Sequence, residues 1–311
     1  MLSKVAERTY WTARYLERVE NTARLVRVYD NLLFDLPRNV NFGWYNLITL
    51  NSAQQEFEER YKVQDERNVV KFLLGDEHNY SSVVSSLKLI RENVRTTRDV
   101  VPEETWELVN ELNLYVNDNL QQGINRRKRH EFLDGIIKGC QQIQGLIYTT
   151  MPHDAAWDFL RIGRSIERAD MTTRILDAGV SAVLQLVDDD NAVNSRQIIW
   201  GNVLRSLGAD QAYRRTTRTS VRGDSVVHYL LEDKVFPRTI AHSLYIILIS
   251  ASRLPRSHEL VAYMEELQLN IFDDADYEQQ GEHLRDYLND LQTELGAIHE
   301  KIASLWFPIY E

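Results

Sequence analysis

The stretch Arg14-Tyr-Leu-Glu17-Arg18-Val-Glu20-Asn-Thr22-Ala-Arg24 decides the fold of this chain, because it returns as Arg164-Ser-Ile-Glu167-Arg168-Ala-Asp170-Met-Thr172-Thr-Arg174. Five of the eleven positions are identical, and a sixth keeps an acid. Random matching at ordinary residue frequencies would give about one identity. The chain of 311 residues therefore contains an internal repeat, and two copies of about half its length fit the usual size of a domain.

The spacing of this stretch places its charges on one side of a helix. At about 100° per residue, Arg14, Glu17 and Arg18 share a face, and Leu16 and Val19 lie opposite. A solvated face laced with ion pairs would explain one copy, but such a face tolerates any charge pattern. Repetition in register indicates a buried or functional role. The candidate interaction residues are Arg14, Glu17, Arg18, Arg24, Arg164, Glu167, Arg168 and Arg174.

The rest of the chain reads as helix. The second copy also repeats residues 69–76 as 226–233, with five of eight positions identical. No segment alternates with period two, and no hairpin turn separates apolar runs. We predict an all-α fold of two tandem helical bundles, 1–150 and 151–311, packed about a pseudo-twofold axis as one compact unit. The expected helices cover 3–36, 40–60, 69–76, 80–98, 102–123, 127–149, 154–186, 196–216, 226–233, 237–255, 257–271 and 276–304, with Pro37 ending the first.

Composition limits the classes of function. The net charge of −10 argues against general binding to nucleic acid or to anionic membranes, which requires a basic surface. The apolar window 243–250 is too short to span a bilayer. One cysteine, Cys140, allows no intrachain disulfide and reads as a small buried side chain. We expect a soluble cytoplasmic protein.

The chain lacks a recognisable catalytic motif. It has no His-Glu-x-x-His, no Cys-x-x-Cys and no glycine-rich phosphate loop, so we expect no metal and no cofactor, and the balance is against an enzyme. Arg91, Arg95 and Arg98 share a helix face and form a weaker candidate anion site, with an exposed basic face as the alternative. The run 126–130 is more typical of a solvated helix start than of a binding patch.

The two Glu-Arg blocks resemble the bacterial Alpha-E family, an all-helical domain of unknown function. The likeness spans essentially the whole chain, and Val235-Phe-Pro-Arg238-Thr resembles a Phe-Pro-Arg-Ser element of that family. The chain departs from the family pattern at Asn79-Tyr80-Ser81, where the family has Asn-Pro and a small residue at the start of a helix. The resemblance implies that the chain is associated with a circularly permuted ATP-grasp ligase-like protein and a transglutaminase-like protein. Such groups of proteins have been proposed to make or process peptides or amide bonds.

Two hypotheses follow. In the first, the chain is a non-catalytic scaffold or partner subunit of such an ATP-grasp system, and the Glu-Arg faces form a buried charged seam, with Glu17 paired to Arg164 or Arg168 and Glu167 to Arg14 or Arg18. In the second, the chain is an enzyme or binding protein whose four arginines clamp a peptide, carboxylate or phosphate ligand in a cleft between the repeats. A deep pocket lined by these residues would favour the second hypothesis, and a closed seam would count against it.

Overall fold

The computed structural model describes residues 3–35, 43–186, 192–272 and 281–307, and within these ranges the chain is helical, with no strand. The α-helices are α1 (Ser3–Asp35), α2 (Asn46–Leu50), α3 (Gln54–Glu58), α4 (Glu66–Gly75), α5 (Val83–Arg95), α6 (Glu104–Ile124), α7 (Arg129–Thr150), α8 (Ala155–Leu184), α9 (Ala192–Ser206), α10 (Asp210–Thr217), α11 (Gly223–Glu232), α12 (Ile240–Ala251), α13 (His258–Asn270) and α14 (Glu282–Trp306). A 3₁₀ turn, Arg126–Lys128, precedes α7. Among these helices, none is long and apolar enough to cross a membrane.

The two longest helices, α1 and α8, lie against each other at the centre. Helix α1 also packs on α5 and α7, while α8 packs on α12 and α14. The shorter helices cross over: α9 packs on α1, and α2 packs on α8. Buried apolar side chains from both halves of the chain therefore form one continuous cluster.

One glycine allows the close approach of α1 and α8. A Cβ added at Gly163 would lie 2.3 Å from the backbone carbonyl oxygen of Tyr10. Only a residue without a side chain fits at this distance, because a backbone atom cannot rotate away. The two helices run in the same direction, since the contacts advance along both of them together: Gly163 lies against Tyr10, Glu167 against Arg14 and Arg168 against Glu17.

Local sequence signals set several helix ends. Helix α4 ends at Gly75, and α5 is capped by Ser82, whose hydroxyl accepts a hydrogen bond from the backbone N–H of Ser85 at 3.1 Å. At the departure from the family pattern, the side chain of Asn79 accepts from the N–H of Ser81 and so forms the turn before this cap. Pro37, the predicted end of the first helix, lies outside the described residues.

Two predicted helices are each broken in the structure. The helix expected over 40–60 is α2 and α3, separated by a turn in which Ser52 has a φ of 53°. The helix expected over 196–216 is α9 and α10, separated by a turn in which Gly208 has a φ of 65°. A residue with a left-handed backbone conformation ends an α-helix. The pattern of apolar residues around Ser52 and Gly208 does not predict these two breaks. Residues 192–195, predicted as loop, belong to α9.

Candidate functional site

The candidate site is a charged seam between α1 and α8, made by the two repeated Glu-Arg blocks. The carboxylate of Glu167 is 2% exposed. Arg18 donates to both of its oxygens, from Nε to Oε1 at 2.6 Å and from Nη2 to Oε2 at 3.0 Å. Arg14 donates from Nε to Oε2 at 2.8 Å. Two guanidinium groups of α1 thus enclose one acid of α8.

The surroundings keep Glu167 charged. Burial alone would raise the pKa of its carboxyl group, but Arg18 and Arg14 hold it at about 2. The two arginines also lie over aromatic rings, Arg14 at 4.8 Å from Trp11 and Arg18 at 5.7 Å from Tyr15. Such contacts stabilise a cation that has lost water. The side of the seam around Glu167 is therefore fully committed to ion pairs inside the protein.

Glu17 is the matching acid of α1, and it is fully buried. Arg168 of α8 approaches its Oε1 at 3.0 Å, and Arg238 approaches the same oxygen at 2.5 Å. These contacts are ion pairs rather than well-aligned hydrogen bonds, and Oε2 accepts no hydrogen bond from a described residue. Although burial would raise the pKa of Glu17, Arg168 and Arg238 lower it to about 2.

Arg238 joins the seam from the turn before α12. Besides Glu17, it donates to Oδ1 of Asn21 at 2.6 Å and to Oε1 of Glu20 at 3.0 Å, and its own carbonyl oxygen accepts from the hydroxyl of Thr172. Reasoning from the repeat missed this residue as a site member. The sequence signal that could have found it is the Phe236-Pro237-Arg238 element, which resembles the Phe-Pro-Arg-Ser element of the family.

The last arginine of each block, Arg174 or Arg24, lies next to a turn of the other half of the chain. Arg174 donates to Asp170 at 2.9 Å and to the hydroxyl of Ser52 at 3.0 Å, and so anchors the left-handed turn after α2. Arg24 donates to Glu20 at 2.8 Å. Its guanidinium lies beside Gly208, since a Cβ added there would be 3.5 Å from Nη1. Each block thus lies against a left-handed turn of the other half of the chain.

Arg164 is the candidate that the structure leaves outside these pairs. It is only partly buried, and it makes no hydrogen bond or ion pair with any residue that the structure describes. The prediction allowed Glu17 to pair with Arg164 or Arg168, and the structure selects Arg168 together with Arg238. Arg164 corresponds in the repeat to Arg14, which is paired.

The weaker candidates do not converge on an anion site. Arg91 donates to the side chain of Asn110, Arg95 forms a fork with Glu92, and Arg98 lies 4.1 Å from the ring of Trp106. Each therefore already has a partner. Whether they bind an anion stays a prediction.

The prediction that the basic run 126–130 is a solvated helix start is wrong for Arg129. Arg129 is 1% exposed and donates to Asp30 at 3.0 Å and to Glu66 at 2.7 Å. It ties α7 to α1 and α4 because a buried guanidinium must find acceptors.

A polar cleft of about 310 Å³ lies beside the seam, between α2, α8 and α14. Arg174 is the candidate residue that lines it, and the other charged lining groups include the ion pair of Arg285 with Asp177 at 2.8 Å. Glu17 and Glu167 do not reach it. In the described part of the chain, no group of three or more His, Cys, Asp or Glu side chains is placed to hold a metal ion.

Fold and site together define an all-helical protein in which two Glu-Arg motifs neutralise each other across a central helix pair. The family model of Alpha-E, described as a predicted alpha-helical domain with a conserved ER motif, matches residues 1–307. The chain belongs to the Alpha-E family.

Curated relatives are uncharacterized mycobacterial proteins. One from Mycobacterium bovis and one from Mycobacterium tuberculosis strain CDC 1551 are each 22% identical to the chain over 277 residues, which is 82% of this chain and 30% of the relative. A further Mycobacterium tuberculosis protein, from strain H37Rv, is 21% identical over the same span. The chain thus spans less than a third of the length of these relatives. No solved structure matches the chain.

Proposed function

We propose that this protein is a non-catalytic helical scaffold, acting as a partner subunit of an ATP-grasp-type system that forms peptide or amide bonds. The observation that carries the proposal is the closure of the Glu-Arg seam. Its two acids are at most 2% exposed and already bind arginines of the same chain. Because the motif forms ion pairs inside the chain, it fixes the register of α1 on α8. Fixing register is the best-attested role of buried charges.

The length of the relatives supports a role beside other domains. The matched region is 30% of each mycobacterial protein, so in those proteins a region like this chain is joined to a much longer polypeptide. A helical unit that works next to a second domain needs an outer docking surface and no reaction centre of its own. The ATP-grasp ligase-like and transglutaminase-like partners are proposed from the family resemblance.

We also propose that the fold is a duplication about a pseudo-twofold axis. Glu17 contacts Arg168, and the reciprocal acid Glu167 contacts Arg18. The turn containing Ser52 is bound by an arginine of the second block, and the turn containing Gly208 lies against one of the first. Both reciprocal relations are expected if two similar halves exchange the same contacts.

The experiment combines the purified chain with the ATP-grasp ligase-like protein and the transglutaminase-like protein of its own organism. Size-exclusion chromatography with light scattering measures complex formation, and ATP consumption is followed with and without the chain. We expect a stable complex with the ligase-like protein, altered ligase turnover, and no turnover by the chain alone. If the chain forms no complex but makes or cleaves amide bonds alone, the proposal is wrong and the enzyme alternative replaces it.

The alternative, a ligand clamp of four arginines between the repeats, is less well supported. Arg14, Arg18 and Arg168 already neutralise carboxylates of the same chain, so a ligand would have to displace buried acids. Such a displacement costs several kcal/mol for each unpaired buried charge.

A further inference from the structure

Two arginines on one side of α8 have no acidic partner. Arg161 and Arg164 are one helical turn apart, and neither makes a hydrogen bond or ion pair with any described residue. Both are partly buried. A partly buried arginine in this situation has given up part of its hydration without gaining an acceptor, whereas charges that leave water are normally paired.

The lack of a partner at Arg164 has a structural cause. In the first repeat, the equivalent Arg14 donates to Glu167 at 2.8 Å. In the second repeat, Arg238 lies 2.5 Å from Glu17 and occupies the place that Arg164 would fill by analogy. The residue equivalent to Arg238 in the first repeat is Ser81, which cannot compete for Glu167. The departure from symmetry therefore releases one guanidinium.

The acids near these arginines are already neutralised. Glu17 and Glu20, the acids whose charge acts on Arg164, are both paired with Arg238. Asp158, which acts on Arg161, is paired with Arg253 at 3.3 Å. No carboxylate among the described residues is left at ion-pair distance from Arg161 or Arg164, so a positive excess remains on a chain of net charge −10.

The surrounding groups leave this positive region accessible. Arg253 of the turn after α12 is exposed, and it repels Arg161. Tyr148 of α7 is 62% exposed, and its ring lies 5.6 Å from that of Trp157 on α8. Tyr245 is 52% exposed and lies on α12, which packs on α8. Burial, followed by repulsion from Arg168, lowers the pKa of Arg164 to about 10. An anion placed there would favour the charged form of Arg164 and so oppose both effects.

We infer that Arg161, Arg164 and Arg253, called here the arginine patch, bind a phosphate group, with Tyr148 and Tyr245 placed to pack against an aromatic ring attached to it. Guanidinium groups match the oxygens of a phosphate in pairs of parallel hydrogen bonds. Asp158 offsets one of the three positive charges of the arginine patch, and the two that remain match a dianion. This inference does not depend on the proposed partner-subunit function.

Isothermal titration calorimetry of the full chain tests the site with inorganic phosphate and with phenyl phosphate at constant ionic strength, with chloride as the reference anion. We expect both phosphates to bind, and phenyl phosphate to bind more tightly. Arg164→Gln and Arg161→Gln are each expected to weaken binding about 10-fold, the effect of losing one hydrogen bond between charged groups. Arg214→Gln is the matched control, since Arg214 is an exposed arginine paired with Asp210. It should change affinity less than 2-fold.

A second readout separates binding from a structural role. Because Arg164 has no partner, Arg164→Gln should leave the unfolding midpoint without phosphate unchanged or raised, and should remove the increase that phosphate gives to the native protein. Three results would overturn the inference. The first is that the native chain binds no phosphate even when phosphate is in about 10-fold excess over the other anions of the buffer, and the second is that Arg214→Gln weakens phosphate binding as much as Arg164→Gln does. The third is that Arg164→Gln unfolds at a lower midpoint than the native chain in the absence of phosphate.

Discussion

Gly163→Ala tests the close packing of α1 on α8 on which the seam depends. The added Cβ would lie 2.3 Å from the Tyr10 carbonyl oxygen and 3.1 Å from its carbonyl carbon, whereas ordinary contact begins at 3.4 Å. The helices must therefore separate by about 1 Å, and both obstructing atoms belong to the backbone. Arg14 and Glu167, which bridge the same helices one turn further on, would be pulled apart from 2.8 Å.

The expected cost is about 3 kcal/mol of unfolding free energy. Overpacking contributes up to about 3 kcal/mol, and the weakened hydrogen bonds add about 1 kcal/mol. Replacing glycine by alanine inside a helix returns about 1 kcal/mol. Urea unfolding followed by far-UV circular dichroism measures the difference.

Gly145→Ala is the matched control. Gly145 lies within α7 and is exposed, and a Cβ there would meet nothing within 4 Å. The control should be as stable as the native protein or gain up to about 1 kcal/mol from helix propensity. If Gly163→Ala were as stable as this control, α1 and α8 would not approach as closely as described, and the reasoning would be refuted.

Three further changes probe the seam and the core. The pKa of Glu167 is about 2 in the folded chain, whereas the ordinary value is 4.5. Its ion pairs therefore contribute about 3 kcal/mol of stability above pH 4.5, and this contribution is lost as the pH falls toward 2. The urea midpoint of the native chain should fall across this range, and that of Glu167→Gln should change less. Arg238→Gln leaves Glu17 with one arginine and should cost about 3 kcal/mol of unfolding free energy. Arg285 is partly exposed, so Arg285→Gln should cost under about 1 kcal/mol in the same urea titration; equal costs would contradict the account. Burial raises the pKa of the Cys140 thiol, so a thiol reagent should modify it no faster than the chain unfolds, and rapid labelling of the native chain would show that the core is open.

Helical periodicity was enough to predict the faces of α1 and α8. Helical periodicity assigned four residues to the charged faces of these helices, and the structure places them there: Glu17, Arg18, Glu167 and Arg168. Each of the two acids pairs with an arginine of the other block. A repeated charge pattern constrains geometry because a helix projects residues at fixed angles. The helix predicted over 69–76 is α4, which begins three residues earlier, at Glu66, and ends at Gly75.

The remainder depended on contacts that periodicity does not encode. Arg238 reaches Glu17 from a turn far away in the chain, so only the tertiary structure shows that Arg238, and not Arg164, pairs with Glu17. The break at Ser52 depends on a left-handed backbone in a residue type that rarely adopts it. Arg129 lies in a run of basic residues that looks solvated until Asp30 and Glu66 come within reach.

A double-mutant cycle between Glu167 and Arg18 tests the central claim, that the Glu-Arg motif is an internal seam, most directly. The unfolding free energies of Glu167→Gln, Arg18→Gln and the double variant are measured in urea beside those of the native chain. Because the two side chains share a fork at 2.6 and 3.0 Å in a buried site, the account predicts a coupling energy of about 2 kcal/mol or more. Additive effects within about 0.5 kcal/mol would mean that the two residues do not interact in the folded protein, and would contradict the claim.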